Sequence, residues 1–270
     1  MNAPTTVNDE VLYAVDGHVA TITLNRPERM NTISRAMLGQ LTEHLLTADA
    51  DQEVRVVILT GTGRAFCAGL DLTEATSGRS DGISNSTAPA ATLDLRSTPP
   101  TVLFNMDTPV ICALNGSAAG YGMDTALGCD IRLMAASAKM AAAFTKRGVV
   151  PESGGTWYLP RLIGWSKAAE LIFTGRTLSA QETVALGLAS EVVPDAEIMT
   201  RAREIAAEIA ACAPLAVQAS KRMMRMGMNE TFNDHVHHVF LQLLPLFRSQ
   251  DAAEGMRAFM EKRPATFTGR

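Results

Sequence analysis

The sequence predicts an α/β fold, and three observations predict it. Strand signals and helix signals alternate as far as residue 165. Two apolar runs, at 54–59 and 109–114, each lead into a glycine-bearing turn. Beyond residue 165 the helical period takes over. Alternation of this kind argues for an α/β core. A near-continuous apolar run, interrupted at 54–59 by Arg55, is typical of a strand buried on both faces.

The elements follow in order. Residues 1–10 carry no basic segment followed by an apolar one, so no signal peptide is expected and the terminus should fray. Val19-Ala20-Thr21-Ile22-Thr23-Leu24 alternates and predicts a strand. Residues 31–50 predict a helix, with Ile33, Met37, Leu41 and Leu45 on one face and Ser34 as candidate cap. Strands are expected at 54–59, 109–114 and 131–135, and a short small-residue helix at 118–128. Residues 73–98 are rich in Ser, Thr, Gly, Asp and Ala. A loop of that length inside a compact domain is expected to form a wall of a pocket, with plain surface loop as the bland alternative. Ser179 and Glu182 have capping-box spacing. Helices are expected at 195–212, 215–227, 229–248 and 251–262.

Composition narrows the function. A chain of 270 residues, 47% of them apolar, can bury a large core or a core with a small appendage. The formal net charge is −4 and there is no basic stripe, which argues against nucleic acid or an acidic membrane as partner. No apolar run approaches the ~20 residues that span a bilayer. Cys67, Cys112, Cys129 and Cys212 lack zinc-site or disulfide spacing and suit a reducing, cytoplasmic compartment. His235, His237 and His238 lie close together, but no carboxylate partner is evident in the sequence, so no metal is expected.

The chemistry concentrates in the two turns. Phe66-Cys67-Ala68-Gly69-Leu70-Asp71-Leu72 follows one apolar run, and Asn115-Gly116-Ser117-Ala118-Ala119-Gly120-Tyr121-Gly122-Met123-Asp124 follows the other. Glycine permits sharp turns and close approach of a ligand to the main chain. Two such turns can aim two backbone N–H groups at one developing oxyanion. Ordinary strand–helix packing is the competing reading. Neither segment is a Walker loop, since no Gly-Lys-Ser/Thr follows. Asp124 lies among small apolar residues, where burial should raise its pKa. Glu152 follows Pro151, a pattern that also fits the first turn of a helix.

These segments, in this order, resemble the crotonase superfamily of enoyl-CoA hydratases and isomerases. The likeness runs from Thr23-Leu24-Asn25-Arg26-Pro27 to Glu261-Lys262-Arg263 and comes nearest the ring-epoxide phenylacetyl-CoA isomerase and enoyl-CoA isomerase branch. It implies a spiral of ββα turns over 1–200 and a helical oligomerisation region over 201–270, assembling as a homotrimer or a dimer of trimers. It implies an acyl-CoA substrate, with CoA part of the substrate and no further cofactor. By position, the N–H groups of Ala68 and Tyr121 would hold the thioester oxygen, although many members have glycine where Tyr121 stands. Asp124 occupies the place of the first catalytic glutamate of the hydratases. Their second glutamate falls at Phe144, which cannot transfer a proton, while Glu152 matches the catalytic acid of several isomerases. Arg29, Met30, Ala65, Ala68, Asp71 and Leu72 would line the CoA path, and a neighbouring subunit would supply Phe259 and Lys262. Double-bond isomerisation by Glu152 with Asp124 is the expected reaction. Hydration with a water held between the two carboxylates is the alternative, and a non-catalytic acyl-CoA- or RNA-binding protein is the alternative of another class.

Overall fold

The computed structural model describes residues 9–71 and 98–270. The expected pocket wall at 73–98 therefore lies outside the described residues, apart from Thr98, and so does Leu72. The strands form two sheets. The larger contains, in spatial order, β1 (Val11–Asp16), β2 (Val19–Leu24), β3 (Val56–Gly61), β5 (Val110–Leu114), β7 (Ile131–Ala135) and β10 (Glu191–Val193). It is parallel except for the β1–β2 pair. The smaller contains β4 (Ala65–Cys67), β6 (Ser117–Ala119), β8 (Lys139–Ala141) and β9 (Thr177–Ser179).

A repeated path relates the two sheets. The chain passes through β3 then β4, β5 then β6, β7 then β8. Helices α2 (Pro99–Asn105), α3 (Tyr121–Gly128) and α4 (Gly155–Ile163) follow these pairs in turn. Each pair contributes one strand to each sheet, which is the ββα spiral that the resemblance implied.

The central strands β3, β5 and β7 of the large sheet are buried on both faces, and their side chains divide by the two-residue period of a strand. Val57, Leu59, Val110, Cys112 and Leu114 join the main core with Met37, Leu41 and Leu45 of α1 (Arg35–Ala50). Val56, Ile58, Ile111, Ala113 and Leu133 form a second core under Ile198, Ala202 and Ala206 of α7 (Ile198–Ala210). The expected domain boundary at 200 thus falls inside a helix that covers the sheet. After α4 come α5 (Trp165–Thr174) and α6 (Ala180–Ala185). The chain closes with α8 (Pro214–Gly227), α9 (Phe232–Leu246) and α10 (Gln250–Glu261). Lys221 of α8 bonds to Thr108 O at 2.9 Å, and Arg225 bonds to Phe104 O and Met106 O at 2.9 and 3.1 Å, fastening α8 to the α2–β5 junction.

Ser34 caps α1 by accepting the Met37 N–H at 3.0 Å. The helix starts at Arg35 and not at Asn31, because Met30 and Asn31 both adopt left-handed backbone (φ 53). Ser179 and Glu182 form the expected capping box. The short strands β4, β6, β8 and β9 were not anticipated.

Candidate active site

The two glycine turns meet because the strands before them are neighbours. β4 pairs with β6 in parallel, so the turn after β4 lies against the start of α3. Gly69 has φ +108, a region other residues enter only with strain, and a Cβ there would sit 3.2 Å from Ala119 O and 4.0 Å from Tyr121 N. Gly122 in α3 lies so close to Cys67 that a Cβ would collide with the Cys67 carbonyl. Tyr121 opens α3, where an N–H has no partner within the helix.

The first turn corrects one expectation. The Ala68 N–H is already occupied, donating to Met30 O at 3.0 Å. Next, Ile33 N–H donates to Gly69 O at 2.8 Å and Asp71 N–H donates to Ile33 O at 2.9 Å. These two bonds make a parallel bridge centred on Leu70, which turns the N–H of Leu70 itself away from Ile33. No acceptor among the described residues takes that N–H, and Leu70 is 40% exposed. Leu70 and Tyr121, rather than Ala68 and Tyr121, are the residues with N–H groups to offer. Sequence reasoning missed Leu70 because the acceptor that occupies Ala68 lies on a distant turn.

Asp124 is almost wholly buried (1% exposed) on the same helix as Tyr121. Its Oδ2 accepts the Ser153 hydroxyl at 2.8 Å and the Gly155 N–H at 3.0 Å. Its Oδ1 is buried and has no hydrogen-bond partner among the described residues. Burial raises the carboxyl to about pKa 6; the bonds from Ser153 and Gly155 pull it down, and the nearby Glu152 charge pushes it up. One oxygen therefore anchors the start of α4 while the other is left to a ligand or a proton.

Glu152 is exposed between buried Pro151 and buried Ser153. Its charge reaches both Asp124 and Tyr121. Phe144 is buried, and its ring edge would be 3.9 Å from a Cβ on Gly120. Burial lifts the Tyr121 phenol above its ordinary pKa, and the charges of Glu152 and Asp124 add to the shift. Burial pushes the Cys67 thiol up to about 12, so this cysteine stays protonated and serves as packing.

The residues expected along the CoA path divide. Arg29 and Met30 are exposed beside the first turn. Ala65 is buried, its carbonyl accepting Asn31 Nδ2 at 2.8 Å. Asp71 is also buried, and its carboxylate is turned toward Arg26, accepting Nη2 at 3.0 Å. That is a structural ion pair, and its side chain is a poor candidate for contact with CoA. Phe259 is 85% exposed on α10, and Lys262 caps that helix. No hydrogen bond or ion pair among the described residues joins either side chain to the turns. His235 and His238 both meet Glu230, at 3.0 and 2.9 Å, closing the start of α9 on itself. An apolar cleft of about 480 Å³ lies beyond Pro151, between Val149, Thr156, Trp165 and Phe173.

Comparison with known proteins gives this arrangement its family. The model of the enoyl-CoA hydratase/isomerase family matches residues 15–270. The chain belongs to the enoyl-CoA hydratase/isomerase family. Among its relatives, the 1,2-epoxyphenylacetyl-CoA isomerase of Escherichia coli is 37% identical over 265 residues, covering 96% of this chain and 98% of that protein. The short-chain-enoyl-CoA hydratase of Clostridium acetobutylicum is 34% identical over 261 residues, covering 94% and 96%. The crystal structure of an enoyl-CoA hydratase from Bacillus anthracis superposes with a TM-score of 0.88 at 35% identity, covering 97% of this chain and 100% of that one. The fold is therefore the crotonase fold, and the chain is an enoyl-CoA hydratase/isomerase family enzyme. Relatives bear both hydratase and isomerase names, so the family alone does not choose the reaction.

Proposed function

We propose that the enzyme shifts a double bond in an unsaturated acyl-CoA thioester, with Glu152 carrying the proton. In a 3-enoyl substrate, the Glu152 carboxylate removes a proton from C2. The C–H electrons move into the thioester, leaving a dienolate with its charge on the thioester oxygen. The N–H groups of Leu70 and Tyr121 receive that charge. Pre-aimed donors of this kind are worth a large part of a catalysed step. Glu152 then returns the proton to C4, and a 2-enoyl thioester leaves. Atoms balance without another reactant, and the step needs no group beyond the CoA carried by the substrate. Asp124, protonated in part near neutrality, assists beside the reacting carbons.

The observation that carries this reading is Phe144. A buried ring stands where the family resemblance puts the hydratases' second base, and one carboxylate suffices to move a proton between two carbons. The free Oδ1 of Asp124 favours a second reading, in which Asp124 and Glu152 hold a water that adds to a 2-enoyl thioester. Mass spectrometry in heavy-oxygen water separates them. A 3-enoyl-CoA should give an isomer of unchanged mass, and a 2-enoyl-CoA should gain no heavy oxygen. Rapid uptake of heavy oxygen from the 2-enoyl substrate would replace isomerase with hydratase.

The CoA moiety would enter past Arg29 and Met30. The family resemblance points to a homotrimer or a dimer of trimers as the active unit, and the exposed Phe232, Phe240, Phe259 and Met260 on α9 and α10, with Phe247 just after α9, support self-association. A neighbouring chain would then bring Phe259 and Lys262 to the CoA.

A further inference from the structure

Asn31 is wholly buried, and its side chain makes three hydrogen bonds. Its Oδ1 accepts the Arg26 N–H at 2.8 Å, and its Nδ2 donates to Thr62 O at 3.0 Å and to Ala65 O at 2.8 Å. One side chain thus joins the turn after β2 to the turn between β3 and β4. Both Met30 and Asn31 hold φ near +53, and among the described residues the only other non-glycine with positive φ is Lys262. Asparagine tolerates this conformation; methionine adopts it only against steric cost, and such positions persist where the surroundings enforce them. What the conformation achieves is visible one bond further on. It presents Met30 O to the Ala68 N–H at 3.0 Å, while Ile33 grips Gly69 O and Asp71 N–H. With the residues on both sides held, the Leu70 N–H has one direction left, away from the 30–33 segment.

We propose that Asn31 is a positioning residue for the oxyanion donor: it locks the left-handed Met30–Asn31 turn, which holds Ala68 and so aims the Leu70 N–H at the thioester oxygen. Asn31 touches no substrate and acts only through Met30 and Ala68. The proposal rests on the reading that this site polarises a thioester carbonyl.

The test uses butanoyl-CoA labelled with carbon-13 at the carbonyl, a saturated thioester that can be neither hydrated nor isomerised by this route. Infrared difference spectra report how strongly the bound carbonyl is polarised. In the unaltered enzyme the carbonyl band should move to lower frequency on binding. In Asn31→Gly, which keeps the left-handed backbone but removes all three bonds, at least half of that movement should be lost. Its kcat on an unsaturated acyl-CoA should fall about tenfold or more, with KM within about twofold. Asn31→Asp retains the acceptor and loses both donors, and it carries the same expectation if the glycine variant does not fold. A folded variant with the full band shift and unchanged kcat would overturn the role of Asn31. No band shift in the unaltered enzyme, despite binding, would overturn the underlying reading of the site and the proposal with it.

Discussion

At the scale of residues, the two carboxylates divide between exposure and burial. Glu152 is exposed, and the proposed reaction gives it the proton transfer. Glu152→Gln should lower turnover by about 10²–10⁴-fold while affinity for CoA, measured by calorimetry, stays within a few-fold. Unchanged turnover would remove Glu152 from the reaction. Asp124 makes a prediction about pH. Its pKa in the folded chain is raised from 3.8 to about 6, so folding favours its protonated form. Stability linked to this group is intact below pH 4 and is lost as pH rises toward 6, amounting to about 3 kcal/mol at neutral pH. Asp124→Asn should therefore gain on the unaltered enzyme as pH climbs from 4 to 6, with the difference level above that. Urea unfolding at a series of pH values checks the sign. The sequence displayed both carboxylates, and its family resemblance pointed to Phe144 as the place of the hydratases' second base. It did not reveal Leu70, because which N–H remains free depends on a hydrogen bond from Ala68 to Met30 that no local pattern encodes.

At the scale of elements, the strongest sequence signals were those with a period. The run Val56-Val57-Ile58-Leu59 is apolar because alternate residues face two different cores, one under α1 and one under α7. Capping by Ser34 and by Ser179 was legible because a cap is a short-range bond. The three-residue strands of the smaller sheet were not, since three residues display no period and their pairing is set by the spiral. Gly122 is a point where elements press closely, against Cys67 at the end of β4. Gly122→Ala should cost about 1–3 kcal/mol in chemical denaturation, the usual penalty for overfilling a packed contact. It should also lower kcat, since any retreat of α3 carries Tyr121 with it. A variant of normal stability would show that the two elements can separate freely.

At the scale of the whole molecule, the spiral converts a repeated local path into one site. Strands adjacent in the smaller sheet bring turns from different windings together, and the large sheet fixes their height. The helical end of the chain is only partly an appendage. α7 covers the sheet and α8 is fastened by Lys221 and Arg225, whereas α9 and α10 present apolar side chains to the outside. If those faces meet other copies, light scattering should give a mass of three or six chains. Phe259→Asp should then shift the enzyme toward monomer and weaken CoA binding together. A monomer in the unaltered enzyme at micromolar concentration would reject the assembly. The sequence pointed to helices here, but apolar spacing cannot distinguish a face buried against the same chain from one buried against another.

The proposed donors at Leu70 and Tyr121 are main-chain groups; the Leu70 side chain is exposed, whereas the Tyr121 ring is packed in the core. Every amino acid except proline supplies the same N–H. Exchanging the side chain at residue 70 would therefore reshape the space beside the thioester and leave the pull on its oxygen in place. Substrate preference could drift across generations, or be selected in a library randomised at residue 70, without rebuilding the chemistry each time.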